Sequence, residues 1–263
     1  MLKKRLIGVV TVKEGIAVQS FGYRRYLPLG KPECLVENLD RWCADEILIQ
    51  VIDRSITNIE PDFQLIEKLG KLGLETPLIY AGGVRSVADG VKLIQLGADR
   101  IVFDALLRDD LLVIKDLSEQ LGAQALIASI PLSVGANKLE WLDYRKHSLT
   151  SISEEILDLI REKTISEILI TDWKHEGLSG GFDRQIIDNF PLKNIPIIAF
   201  GGIDNLNQAK LLLELSNVAA VAVGNYFSYR EHAIQAYKEI LTCQSVRPPI
   251  YKSQFSLIAN LND

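Results

Sequence analysis

Three apolar segments of the chain recur, in the same order, about 120 residues further along. Leu6-Ile7-Gly8-Val9-Val10 matches Leu126-Ile127-Ala128-Ser129-Ile130, and both continue to a glycine, Gly15 and Gly135. Glu46-Ile47-Leu48-Ile49 returns as Glu167-Ile168-Leu169-Ile170. Pro77-Leu78-Ile79-Tyr80-Ala81-Gly82-Gly83-Val84 returns as Pro196-Ile197-Ile198-Ala199-Phe200-Gly201-Gly202-Ile203. One such match carries little; three in register demand a fold made of two like halves. Each segment is a short, continuous run rich in Val and Ile and closed by a turn signal. Parallel strands buried on both faces read this way.

Helical patterns fill the intervals. Ser86 with Asp89, and Asn205 with Gln208, have the spacing of an N-cap and its capping-box partner, and apolar residues at helical spacing follow both. Further runs at Ile101–Phe103 and Val218–Val223 complete four βα units per half. Eight βα units in two halves predict an α/β fold, a closed (β/α)8 TIM barrel. It is expected to span residues 1–245, with half-barrels of about 1–120 and 121–245, and to leave 246–263 as a tail over the surface. A doubly wound open sheet also alternates strand and helix, but it gives no reason for a half-length repeat.

Composition removes several partners. The 263 residues are 48% hydrophobic and 24% charged with a net charge of −5, and no Lys/Arg block offers a footprint for nucleic acid. The longest apolar runs are far too short for a membrane span. Leu6–Val12 is followed at once by Lys13 and Glu14, so the N-terminal segment reads as a first strand rather than a signal peptide. Cys34, Cys43 and Cys243 lie far apart and form neither a zinc-ligand nor a disulfide pattern, as expected of a reducing cytoplasm.

Barrels of this kind bind ligands at the C-terminal ends of their strands. Those positions are Thr11, Val51 to Asp53, Gly82-Gly83, Asp104, Pro131, Asp172, Gly201-Gly202 and Gly224-Asn225. A Gly-Gly turn lets backbone approach a ligand closely, and the helix start beyond it offers free N–H groups to an anion. Gly201, Gly202, Gly224 and Asn225 thus predict a phosphate site in the second half, with Gly82 and Gly83 its counterpart in the first. Asp104 weakens that counterpart, because a carboxylate repels phosphate. Tight turns alone would also account for these glycines.

The chain resembles the cyclase subunit family of imidazole glycerol phosphate synthase over roughly residues 1–245. The resemblance is carried by Ala81-Gly82-Gly83-Val84-Arg85-Ser86, Gly97-Ala98-Asp99-Arg100, Gly122-Ala123-Gln124-Ala125, Glu167-Ile168-Leu169-Ile170-Thr171, Gly177 with Gly181-Phe182-Asp183, Gly201-Gly202, and Phe227-Ser228-Tyr229-Arg230-Glu231. It implies a barrel that receives ammonia from a separate class I glutaminase docked under its N-terminal face. It also implies a gate of two cationic and two acidic residues, at Arg5, Glu46, Arg100 and Glu167 here; a salt-bridge cluster closing the barrel base would use the same residues. No Gly-x-Cys-x-Gly elbow occurs in the chain, so glutamine hydrolysis falls to another protein.

The family's two catalytic aspartates are replaced by Thr11 and Pro131, neither able to carry a proton as a carboxylate does. Gln19 stands where the family has a lysine, and Leu178 where it has a hydroxyl residue. Asp104 and Asp172, expected to face the mouth, could form a relocated catalytic pair or merely cap loops. Lys13, His175 and Glu176 lie on nearby loops, while His147 and His232 read as surface positions. The expected function is the barrel subunit of a glutamine-dependent amidotransferase system that binds a phosphorylated substrate, with neither metal nor organic cofactor. Relatives thought to supply ammonia for surface-sugar amidation fit this pattern. The alternatives are a working cyclase of histidine biosynthesis and a non-catalytic scaffold that activates a glutaminase.

Overall fold

In a computed structural model, which describes residues 3–136, 138–228, 232–241 and 246–251, the strands run in chain order as follows. They are β1 (Arg5–Lys13), β2 (Ile16–Phe21), β3 (Arg25–Gly30), β4 (Glu46–Val51), β5 (Leu78–Ala81), β6 (Arg100–Phe103), β7 (Leu126–Gly135), β8 (Lys138–Asp143), β9 (Ser148–Thr150), β10 (Glu167–Asp172), β11 (Ile197–Phe200) and β12 (Val218–Val223). Eight of them, β1, β4, β5, β6, β7, β10, β11 and β12, pair parallel in that order, and β12 returns to β1. Helices such as Pro32–Arg41, Val87–Gln95 and Leu206–Leu213 connect them. The expected closed (β/α)8 barrel is the fold, and the two-fold repeat sets its symmetry.

Closure divides the core in two. Alternate residues point inward, and every barrel strand contributes to an inner apolar cluster that includes Ile7, Val9, Leu48, Val102, Leu169 and Ala222. Their neighbours point outward and pack under the helices. Burial on both faces explains the unbroken apolar runs. Ser86 and Asp89 form the expected capping box. Asn205 caps its helix through the Gln208 N–H, while the Gln208 side chain returns to Asp204 N rather than to the cap.

The first and fifth barrel strands each fold back into an antiparallel ribbon above the barrel: β1 continues into β2 and β3, and β7 into β8 and β9. Gly15 and Gly135, noticed only as matched glycines, mark these reversals. Glu14 (φ 51°) and Gly15 (φ 76°) make a two-residue turn with both residues left-handed, which suits a twisted hairpin.

At the opposite end, the C-terminal helix Ala233–Leu241 is tied to the barrel base. Lys238 Nζ donates to Asp45 Oδ1 at 2.8 Å and to the Cys43 carbonyl at 2.7 Å, while Asp45 Oδ2 accepts from Leu6 N at 2.8 Å. Of the tail, Val246 bridges to Lys4. Tyr229-Arg230-Glu231, Cys243 and the chain beyond Tyr251 lie outside the described residues. No helix among the described residues is long and apolar enough to cross a membrane.

Candidate functional site: a charged ring at the base and two cavities at the mouth

The strand starts bring Arg5, Glu46, Arg100 and Glu167 together, although they come from four different strands. Arg5 lies 3.0 Å from Glu46 and 2.6 Å from Glu167; Arg100 lies 3.2 Å from Glu46 and 2.8 Å from Glu167. The charges alternate around a closed ring beneath the inner apolar cluster. Arg100 is further pinned by Gln124 O at 3.1 Å and Ser166 Oγ at 2.9 Å. Burial pushes the Glu46 carboxyl above its usual range, against the pull of both arginines. Burial works to lower the basicity of Arg5, but the nearby carboxylates of Glu167 and Glu46 outweigh it and raise it.

The mouth holds two cavities. The smaller, of about 240 Å³, is lined by Thr11, Gly201, Gly202, Gly224 and Asn225 with Glu176, Gly177 and Leu178. The second-half glycines therefore converge on one space. Gly202 has a φ of +75°, and a Cβ there would stand 2.8 Å from the Gly181 carbonyl, so only glycine fits the turn. Asn225 bridges to β2, donating to Ser20 O at 2.7 Å and accepting from Ser20 N at 3.3 Å. Glu176 accepts from Ser20 Oγ and Tyr23 N, both at 3.0 Å, and burial raises its pKa, which lessens its opposition to a bound anion.

The larger cavity, of about 650 Å³, opens over the first half and is lined by Gly82, Asp104, Pro131 and Thr171 among many apolar and aromatic side chains. Phe21 and Leu178 border both cavities, so the two adjoin. The first-half turn differs from its counterpart. Gly83 N donates to Ser55 Oγ at 3.1 Å, and Ser55 donates to Asp104 Oδ1 at 3.0 Å. Asp104 also accepts from Ala105 N at 2.7 Å and from the Tyr144 hydroxyl. Burial, and then the Asp104 charge, push the Tyr144 phenol well above its usual pKa.

One expectation is corrected. Asp172 does not face the mouth with Asp104: Thr171 lines the cavity, and Asp172, 1% exposed, points outward from the barrel. Its Oδ2 accepts from Asp183 N at 2.8 Å and meets His175 Nδ1 at 2.7 Å, which orders the loop after β10. Lys13 pairs with Glu14 at 2.5 Å on the surface, and Gln19 is buried away from both cavities. His147, exposed as expected, also borders the larger cavity, which Tyr23, Gln50, Ser55 and Tyr144 line as well. No motif marked these residues, because hairpins and strand parity bring them there.

Fold and site together define a (β/α)8 barrel of two like halves, with ligand cavities at the strand C-termini and a ring of charge at the N-termini. The chain belongs to the family described as histidine biosynthesis protein, whose model matches residues 5–233. It is 28% identical to a putative imidazole glycerol phosphate synthase subunit hisF2 of Vibrio vulnificus over 90% of this chain and 88% of that protein. It is 26% identical to the imidazole glycerol phosphate synthase subunit HisF of Staphylococcus carnosus, over 94% and 98% of the two chains. A putative hisF2 subunit of Pseudomonas aeruginosa is 24% identical over 87% and 92%.

Proposed function

We propose that this chain is the barrel subunit of a glutamine-dependent amidotransferase system. It takes ammonia from a class I glutaminase docked at its N-terminal face and binds a phosphorylated substrate at its mouth. The observation that carries the reading is the closed ring of Arg5, Glu46, Arg100 and Glu167 under an apolar barrel interior. A plug that served stability alone would be apolar, since buried ion pairs return little net stability. An alternating ring can instead part and reclose, and the apolar interior above it admits neutral ammonia more readily than ammonium. The phosphate end of the substrate sits at Gly201, Gly202, Gly224 and Asn225, by backbone N–H groups at a glycine turn.

The chemistry at the mouth differs from ring-closing cyclase chemistry in one respect: Thr11 and Pro131 supply no titratable group at the ends of the first and fifth barrel strands. Asp104 is the carboxylate that lines the larger cavity. We place the product in surface-sugar amidation, with ammonia passed to an acceptor at the mouth. A cyclase of histidine biosynthesis is the second reading, favoured by the names of the relatives; its chemistry would have to run through Asp104.

The test is a steady-state assay of the purified chain with ammonium and the bisphosphate substrate of imidazole glycerol phosphate synthase. Absence of imidazole glycerol phosphate, together with stimulation of a class I glutaminase from the same organism, supports the amidotransferase reading. Turnover in the ordinary enzyme range of about 1–10³ per second establishes the cyclase instead. A glutaminase that is neither bound nor stimulated removes the ammonia-delivery reading.

A further inference from the structure

The two Gly-Gly turns are related by the half repeat, yet the positions facing them differ. Pairing of β6 with β5 and of β12 with β11 sets Phe103 equivalent to Val223, and so Asp104 equivalent to Gly224. At Gly224 there is no side chain, and a Cβ there would have nothing nearer than Phe200 at 3.7 Å. On the first half, the equivalent space is taken by a carboxylate. Its oxygens accept from Ala105 N at 2.7 Å, from Ser55 Oγ at 3.0 Å and from the Tyr144 hydroxyl. Ser55 in turn accepts the Gly83 N–H at 3.1 Å, so the donor of the Gly-Gly turn is also committed to this chain of bonds.

We propose that Asp104 is a built-in anion that occupies the first-half anion cup, so that the barrel's ligand carries a single phosphoryl group. That group sits at the second-half turn, and the ligand presents an uncharged, hydrogen-bonding end to Asp104 and Tyr144. The inference rests on the second-half turn being a phosphate seat. A second phosphoryl group at the first half would find its donors spent and a like charge within hydrogen-bond distance, an unfavourable contact in a partly buried site. A hydroxyl or amide N–H there would instead find an oriented acceptor. The two cavities adjoin at Phe21 and Leu178, so a ligand that runs past these two side chains reaches both ends. Asp104 is thus a specificity-determining residue that selects against bisphosphates.

The experiment compares alkanediol monophosphates with the matching bisphosphates, over a range of chain lengths, by isothermal titration of the full chain. In the wild type, each bisphosphate should bind within about twofold of its monophosphate. In Asp104→Ser, which exchanges the carboxylate for a hydroxyl donor, a bisphosphate of suitable length should gain about tenfold or more over its monophosphate. A tenfold preference of the wild type for any bisphosphate overturns the proposal, as does a serine variant that folds and gains nothing. Circular dichroism checks the fold, and Asp104→Asn serves if the serine variant does not fold; the wild-type comparison decides independently of both. A wild type that binds none of these esters removes the second-half phosphate seat itself, which is a separate failure and takes this inference with it.

Discussion

Glu46 and Glu167 sit in the same ring of charge but are held unequally. Glu167 accepts from Arg5 Nη2 at 2.6 Å and from Arg100 Nη1 at 2.8 Å. Glu46 accepts only from Arg100, at 3.2 Å, and meets Arg5 at 3.0 Å without hydrogen-bond alignment. Glu46 is therefore the less tightly held carboxylate of the ring.

That inequality predicts unequal responses to the same substitution. Glu167→Gln should destabilise the chain by about 2–3 kcal/mol, because one charge-assisted hydrogen bond loses its acceptor to an amide N–H₂ and the other loses its negative charge. Glu46→Gln should change stability by less than about 1 kcal/mol at neutral pH, since burial already disfavours the charged form. Urea denaturation of both variants gives the comparison. Equal losses would mean that the ring is symmetric after all.

The pH dependence follows with a definite sign. Burial raises the folded-state pKa of Glu46, so the folded chain binds this proton at a pH where the unfolded chain does not. Its contribution to stability is present below the ordinary glutamate pKa and lost as pH rises through the folded value. Wild type should approach Glu46→Gln in stability as the pH is lowered. Carbon-13 NMR of the glutamate carboxyls should show the Glu46 resonance titrating above the usual range beside that of Glu176, and the variant should lose the first and keep the second.

Tyr144 should stay protonated in alkali for as long as the barrel stays folded. Burial first, then Asp104, raise its pKa, so its contribution is present below the ordinary tyrosine pKa and lost only as pH passes the higher folded value. Ultraviolet titration of wild type against Tyr144→Phe would show this phenol appearing only with unfolding. The phenylalanine variant should lose about 1–3 kcal/mol by leaving one oxygen of Asp104 without its partner.

Gly202→Ala should cost phosphate-ester binding more than fold. The residue has a φ of +75° and its Cβ would press on the Gly181 carbonyl, so the turn must shift by some tenths of an ångström. Titration with glycerol 3-phosphate should show about a tenfold loss or more, while circular dichroism stays unchanged. Unaltered affinity would place the phosphate elsewhere.

Lys238 and Asp45 are both nearly inaccessible, at 3% and 1% side-chain exposure, and close the base from the C-terminal helix. Lys238→Met leaves the buried Asp45 charge with only Leu6 N and the more exposed Arg247, 3.9 Å away, and should cost about 3–5 kcal/mol in thermal unfolding. A loss under about 1 kcal/mol would show that Leu6 N and water suffice to satisfy the carboxylate.

The sequence by itself determined the barrel and its two-fold character, and its family resemblance pointed to Arg5, Glu46, Arg100 and Glu167 as a charged ring. The repeat matches Glu46 with Glu167, and all four residues stand at or beside strand starts. It also placed Gly201 and Gly202 together at one strand end, where their positive φ demands glycine whatever surrounds them. What only the tertiary structure decided is which side chains face inward. A strand buried on both faces has no alternation to read, so nothing in Glu167–Asp172 tells that Thr171 lines the cavity while Asp172 turns away. Tyr144 and His147 came to the mouth the same way, carried there by an antiparallel hairpin whose pairing with β7 sets where its far end lies. The hydrogen bonds of Ser55 and Tyr144 to Asp104 span 49 and 40 positions of chain. Such contacts follow from barrel closure and hairpin register, which local spacing does not record.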